Sequence, residues 1–364
     1  MLSCDRKHLP GTPASNATCA QETGIFALAT YGLETLSARE MAQVPGVAIT
    51  QTTYRRVAAT CTGSLAPLLT LRTVDDVFLD VATWSEIGRP RPILERLRTL
   101  STRLNLFPAA NSCTKVRPIS YPPTFSISVS FVGKRNYTTG EMKALLAESI
   151  ESSHRWTYQP DDRGADVNLR VFIDHEQAFV GIRLARQPLH ERWYRQVHVI
   201  GALKPSVAAA LVMVGEVRER MRVLDPCCGS GTILIEAARQ GALVCGGDSS
   251  PATTRAAQMN CQAAGIKASI QQWQAQALPL ATASMDRVIS NLPWGRQVRV
   301  DASLAAFYRE TFAEMRRVLA PAGRIVVLTS VPQLIDPLDL ACIDCFEISL
   351  FGQRPTILVF CNKS

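Results

Sequence analysis

The stretch Asn291-Leu292-Pro293-Trp294-Gly295 carries the most specific chemistry in this 364-residue sequence. An asparagine side-chain oxygen and the Leu292 main-chain carbonyl, held in a turn that Pro293 stiffens, offer two hydrogen-bond acceptors close together. Two such acceptors suit a planar exocyclic amine on a purine. That amine is a poor nucleophile because its lone pair is delocalised into the ring. Holding both N–H bonds turns the lone pair towards an electrophile, and Trp294 gives an extruded base a π-face to stack on. No nucleophilic side chain and no metal are required, so catalysis would be positioning plus electrostatics. In isolation the same residues describe a strand closing on a proline turn, and their surroundings decide between the two.

Those surroundings contain Asp225-Pro226-Cys227-Cys228-Gly229-Ser230-Gly231-Thr232, between an expected strand and an expected helix. Glycines at 229 and 231 let a ligand approach the backbone at the carboxyl end of a strand, where doubly wound sheets bind ligands. No Gly-Lys-Ser/Thr follows, which excludes a Walker loop. There is no GxGxxG fingerprint, which argues against a nicotinamide-dependent oxidoreductase. Asp248 ends the next strand, 23 residues after Asp225, where an acid accepts the hydroxyls of a ribose. The competing reading of Asp248 is a helix N-cap, since Ser249, Ser250 and Pro251 open the next helix. Loop and acid together point to an adenosine-bearing ligand.

The elements that must position these residues follow from periodicity. Strands are expected at 221–225, 242–248, 269–273, 286–292 and 324–330, alternating with helices at 232–240, 251–264 and 307–319. This alternation gives a doubly wound parallel sheet, with FEISLFG (346–352) and TILVFCN (356–362) as an antiparallel pair at its edge. Upstream, 24–84 patterns as a small α/β module. Residues 92–104 have leucines at helical spacing, 125–132 alternate as a half-buried strand, and 167–174 with 177–185 form a hairpin. Residues 187–200 are polar and aromatic and are expected to be a linker; residues 1–23 are expected to be a flexible tail.

Net charge is +8, and it is unevenly placed. Between residues 86 and 135 nine basic residues (Arg89, Arg91, Arg96, Arg98, Arg103, Lys115, Arg117, Lys134 and Arg135) oppose only Glu86 and Glu95, a local excess of +7. A basic window of this kind is either the footprint of a phosphate-backbone binder or a solvated surface. No apolar run approaches the roughly 18 residues of a membrane helix, and no signal peptide is recognisable, so a cytoplasmic protein is expected. The eleven cysteines are scattered, with Cys342-x-x-Cys345 as the single CxxC, and are expected to be buried reduced thiols with no metal site.

DPCCGSGT followed by SNLPWG resembles the class I methyltransferases that carry a THUMP domain, in particular the tRNA guanine-N2 group. The resemblance implies an α/β fold: a C-terminal class I (Rossmann-like) methyltransferase sheet at 201–364, behind N-terminal ferredoxin-like (24–84) and THUMP (85–186) α/β modules. It implies S-adenosyl-L-methionine as cofactor, bound by Asp225, Pro226, Cys227, Gly229, Ser230, Gly231, Thr232, Asp248, Ser249, Gln274 and Asn291. Asn291, Leu292, Pro293 and Trp294 would hold the target amine. The partner would be the acceptor end of tRNA, gripped by Arg89, Arg91, Arg96, Arg98, Lys115, Arg117, Lys134 and Arg135, with guanosine 6 as the favoured target and a monomer as the favoured state. One departure is Gln274, at a position where such enzymes usually carry an acid. The alternatives are an adenine-N6 methyltransferase on RNA or DNA, and a non-catalytic RNA-binding protein.

Overall fold

The N-terminal half is built by strands whose apolar residues recur every second position and by helices that cover one face. A computed structural model describes residues 22–295, 303–350 and 352–363. Of the expected tail, residues 1–21 lie outside the described residues. In chain order the first half contains β1 (Thr23–Leu28), α1 (Glu34–Met41), β2 (Val47–Thr53), β3 (Arg56–Cys61), β4 (Asp76–Trp84), α2 (Ile93–Thr102) and α3 (Phe107–Thr114). It continues with β5 (Thr124–Phe131), α4 (Thr139–His154), β6 (Thr157–Tyr158), β7 (Val167–Asp174) and β8 (Gln177–Arg183). The expected hairpin is β7–β8, paired antiparallel from Leu169↔Ile182 to Asp174↔Gln177.

The eight strands form one sheet in the order β2-β3-β1-β4-β8-β7-β5-β6. The expected module boundary at residue 84 falls at the end of β4, yet β4 pairs with β8 through Leu79↔Ile182 and its neighbours. The two upstream modules therefore share a sheet, and a single core runs from Ile25 through Leu97 and Leu146 to Leu189. Helix α3 has no periodic signature: in FPAANSCT the buried residues are the small Ala109, Ala110 and Cys113.

The second half contains α5 (Pro205–Val214), β9 (Arg222–Asp225), α6 (Thr232–Ala238), β10 (Leu243–Asp248), α7 (Pro251–Ala263), β11 (Ala268–Gln272), β12 (Met285–Asn291), α8 (Leu304–Val318), β13 (Leu319–Thr329), β14 (Leu340–Glu347) and β15 (Thr356–Asn362). The sheet order is β11-β10-β9-β12-β13-β15-β14. β9 to β13 are parallel, and β15 inserts antiparallel between β13 and β14. Both sheet faces are covered, so consecutive strand residues belong to opposite cores. Val223, Ile289 and Val326 pack with α5, α6 and α7, whereas Leu224, Val288 and Val327 pack with Phe307, Tyr308 and Phe312 of α8. None of the described helices is long and apolar enough to cross a membrane.

The expected linker is packed rather than loose. Tyr194 is fully buried, and its hydroxyl donates to Glu236 Oε1 of α6 at 2.6 Å. The same buried carboxylate receives Arg72 Nε of the first half at 2.8 Å and lies 3.5 Å from Arg192 Nε. Two segments distant in sequence thus converge on one acid of α6.

Candidate active site

In the second sheet the chain winds one way from β9 to β10 and β11 and the other way to β12 and β13, which leaves a crevice at the carboxyl ends of β9, β10 and β12. A cavity of about 320 Å³ occupies that crevice, in the size range of small-ligand clefts. The loop after β9 lines it with Asp225, Cys227, Gly229, Ser230 and Thr232. Asp248 and Ser249 come from the end of β10, and Asn291, Leu292, Pro293 and Trp294 from the end of β12.

The loop after β9 depends on its glycines. Gly229 has φ +52° and Gly231 φ +81°, conformations that favour a residue without a side chain. Behind the loop, Asp225 is buried, accepting from Ser290 Oγ at 2.7 Å and from the Cys227 amide at 3.2 Å. Burial outweighs these donors and pushes its carboxyl up to about 7. Burial, with Asp225 and Asp248 nearby, raises the Cys227 and Cys228 thiols well above their ordinary range, which keeps them protonated and unsuited to nucleophilic work.

Asp248 accepts from the Gly229 amide at 3.2 Å and from the Ser250 amide at 3.1 Å, so one carboxylate ties the glycine loop to the start of α7. The cap of α7 is Ser250, whose Oγ accepts from the Thr253 amide at 3.3 Å. Asp248 therefore remains at the cavity wall with acceptor capacity left for a ligand hydroxyl.

The end of β12 is a turn held rigidly at the cavity wall. Leu292 is anchored by its amide to the Leu328 carbonyl at 3.1 Å. The Pro293 carbonyl accepts from the hydroxyl of buried Tyr308 at 2.9 Å, and that hydroxyl also meets Thr329 Oγ1 at 2.7 Å. The turn is therefore fixed from below by α8 and β13. Two polar atoms in it, Asn291 Oδ1 and Trp294 Nε1, are buried with no hydrogen-bond partner among the described residues. A buried unpaired acceptor is costly, by about 1–3 kcal/mol, unless a ligand engages it.

Comparison with known proteins sharpens this. Residues 192–337 match the family model described as UPF0020, RMKL-like, methyltransferase domain. The crystal structure of TrmN from Thermus thermophilus superposes with a TM-score of 0.76 and 25% identity, covering 94% of this chain and 100% of that one. The C-terminal half has a class I methyltransferase fold. Among curated proteins, this chain is 31% identical over 212 residues to the Mus musculus U6 snRNA (guanine-N(2))-methyltransferase THUMPD2, covering 57% of this chain and 39% of that protein. It is 30% identical over 217 residues to a Thermus thermophilus tRNA (guanine(6)-N2)-methyltransferase, covering 58% of this chain and 64% of that protein. The chain thus matches less than two thirds of the length of either.

Most of the expected site residues meet at this cavity, with three exceptions. Pro226 lies outside the lining, its carbonyl accepting from Trp273 Nε1 at 2.9 Å. Gly231 shapes the loop from behind, packed on Ala257 of α7. Gln274 is exposed and outside the lining, on the solvent side of a segment whose neighbours Trp273 and Ala275 are buried. Sequence reasoning missed one cavity wall, formed by Val199 and Ile200 at the end of the expected linker with Gly201, Ala202 and Leu203 after it. Buried Asn260 of α7 fixes that wall. Its Nδ2 donates to the Val197 and Ser230 carbonyls, each at 3.0 Å, and its Oδ1 accepts from the Val197 amide at 2.9 Å. An asparagine inside a helix carries no sequence signal for such a role.

The expected RNA-binding cations separate into three groups. Arg89, Lys115 and Lys134 are exposed. Arg91, Arg96 and Arg98 are paired with Glu141, Glu86 and Glu148 at the surface. Two of those acids lie on α4, outside the basic window, so the local excess is smaller than the sequence count. Arg117 donates to the Leu184 carbonyl at 3.0 Å and the Asp166 carbonyl at 2.6 Å, and Arg135 to the Ile87 and Gly88 carbonyls at 2.9 and 3.0 Å. Those two guanidinium groups hold loops together rather than facing a partner.

Proposed function

We propose that the chain is an S-adenosylmethionine-dependent RNA methyltransferase that methylates the N2 amine of a guanine in tRNA, with guanosine 6 of the acceptor stem as the favoured position. The observation that carries this reading is the buried Asn291 Oδ1, without a partner among the described residues, in the wall of a cavity also lined by the glycine loop and Asp248. The names of both curated relatives support guanine N2 as the target; one acts on tRNA and the other on U6 snRNA. Residues 24–84 and 85–186 would be the ferredoxin-like and THUMP portions, presenting the acceptor end through exposed cations such as Arg89, Lys115 and Lys134.

The residues present fit the cofactor. A Cβ built on Gly229 meets nothing within 4 Å, so the loop borders open space that a nucleoside would fill. Asp248 would accept its ribose hydroxyls. Asp225, Cys227, Ser230, Thr232 and Ser249 would surround the remainder, with Pro226, Gly231 and Gln274 around them. When bound, the cofactor supplies an electrophilic methyl group on a positively charged sulfur. Asn291 Oδ1 and the Leu292 carbonyl would accept the two N–H bonds of the target amine and aim its lone pair. As nitrogen gains positive charge in the transition state its N–H bonds become more acidic, and both acceptors bind them more tightly than in the ground state. Trp294 would stack on the extruded base, Tyr308 keeps the turn rigid through the Pro293 carbonyl, and the surplus proton leaves the methylated amine for water.

Incubating the purified chain with methyl-labelled S-adenosylmethionine and tRNA, then digesting the RNA to nucleosides, tests this. Label in N2-methylguanosine is the expected result. Label in N6-methyladenosine would move the site to the adenine reading, and RNA binding without any label would leave a non-catalytic RNA-binding protein.

A further inference from the structure

A second cavity, of about 470 Å³, opens beside the first and shares Ala202 with it. Four segments build it. Thr30 and Arg55 come from the first sheet's loops and His190 and Arg195 from the segment before α5. Lys204 stands at the start of α5, and Ser349, Leu350 and Gly352 belong to the β14–β15 connection. No carboxylate is among these lining residues. The acid that holds the cations in place, Asp75, lies behind the wall and is 7% exposed. Its Oδ2 is 2.6 Å from Lys204 Nζ and 4.0 Å from the Arg55 guanidinium, and its Oδ1 accepts from Ser206 Oγ at 2.8 Å. Among the described residues Arg195 has no carboxylate within ion-pairing distance. Three cations therefore face this space against one acid that is already engaged.

Among the described lining residues, charge is segregated between the two cavities: the first carries Asp225 and Asp248 and no cation, and the second carries Arg55, Arg195 and Lys204 and no acid. We propose that the second cavity is a phosphate subsite for the RNA backbone, taking the phosphodiester that flanks the base held at Asn291. This rests on the function proposed above. A base extruded into the first cavity stays joined through its ribose to phosphates on either side, and the shared wall at Ala202 brings one of them over the cationic space. The Thr30 and Ser349 hydroxyls add neutral donors of the kind that accompany arginine at phosphates. The subsite is distinct from the basic window at 86–135. It would fix the register of the target nucleotide, whereas that window would hold the body of the RNA.

The double variant Arg55→Gln/Arg195→Gln leaves Lys204 on Asp75 and touches no residue of the first cavity. Its affinity for a tRNA transcript should fall about tenfold, and the slope of log affinity against log salt should flatten by about 1, as for loss of one phosphate contact. Its S-adenosylmethionine affinity should match the wild type. Transcripts with a single neutral methylphosphonate 5′ or 3′ of the methylated guanosine supply the second arm. One of them should weaken wild-type binding by a similar factor and leave the double variant unaffected. Unchanged affinity and salt slope in the variant, or a methylphosphonate penalty that is equal in both proteins, overturns the subsite. A wild type that binds the transcript with this dependence on Arg55 and Arg195, but transfers no methyl group, would keep the phosphate site and refute the proposed function. A wild type that does not bind the transcript refutes both.

Discussion

Asp225 is a carboxyl group held where charge is expensive, with one serine hydroxyl and one amide to support it. Because burial raises its folded-state pKa to about 7, above that of an unfolded aspartate near 3.9, the folded protein retains a proton that the unfolded chain releases. Stability therefore declines as pH rises between about 4 and 7 on account of this group. Asp225→Asn removes that dependence, so thermal melts should give the variant an advantage over the wild type that grows across this interval and is level above it. A constant difference from pH 4 to 8 would mean that Asp225 is not held in this way. At this scale the sequence was legible wherever a residue type carries its own chemistry. The aspartates, the glycines and the Asn-Leu-Pro-Trp turn were all recognisable and all but a few line one cavity. Ser290, Tyr308 and Asn260 were not, because their work is to hold other groups in place, and a serine in a strand or a tyrosine in a helix looks like any other core residue.

Among the elements, one join between the two halves is made at α6 by the segment before α5 and Arg72, beside the contacts of Asp75 with Lys204 and Ser206 at the start of α5. Glu236 is fully buried and takes Arg72, Arg192 and Tyr194 from two other segments. Removing the acid strands two largely buried cations, an effect that costs up to about 3–5 kcal/mol. Glu236→Ala should accordingly lower the melting temperature markedly, whereas Glu95→Ala, at an exposed pair, should change it little. Equal effects at the two positions would contradict the convergence on Glu236. Period-2 and helical patterns were enough to find most strands and helices of the second sheet, since its central strands β12, β13 and β15 carry apolar runs; the edge strand β14, LACIDCFE, has no such run and lies upstream of the expected 346–352. They could not reveal that β4 and β8 join the upstream modules, because pairing between strands a hundred residues apart leaves no local pattern. Nor could they reveal that the polar, aromatic stretch 187–200 is a wall rather than a tether.

On the scale of the whole molecule, charge is the property that sequence reported least faithfully. The window at 86–135 loses part of its excess to Glu141 and Glu148, which reach it from α4. Arg117 and Arg135 are withdrawn from it altogether by main-chain carbonyls. The combined Arg89→Gln/Lys134→Gln variant should therefore weaken tRNA binding several-fold and flatten its salt dependence without altering the melting temperature. Arg117→Gln should do the reverse, lowering stability because it leaves buried carbonyls without a donor. The claim on which the rest depends is that Asn291 touches the target base and not the cofactor in any way that matters for affinity. Single-turnover methylation of tRNA by Asn291→Ala, measured beside calorimetric S-adenosylmethionine binding, isolates it. The expected outcome is methyl transfer slowed about 100- to 1000-fold, the range for loss of one preorganised polar contact in a transition state, with cofactor affinity close to wild type. Transfer at the wild-type rate, or cofactor binding lost in step with transfer, would contradict it.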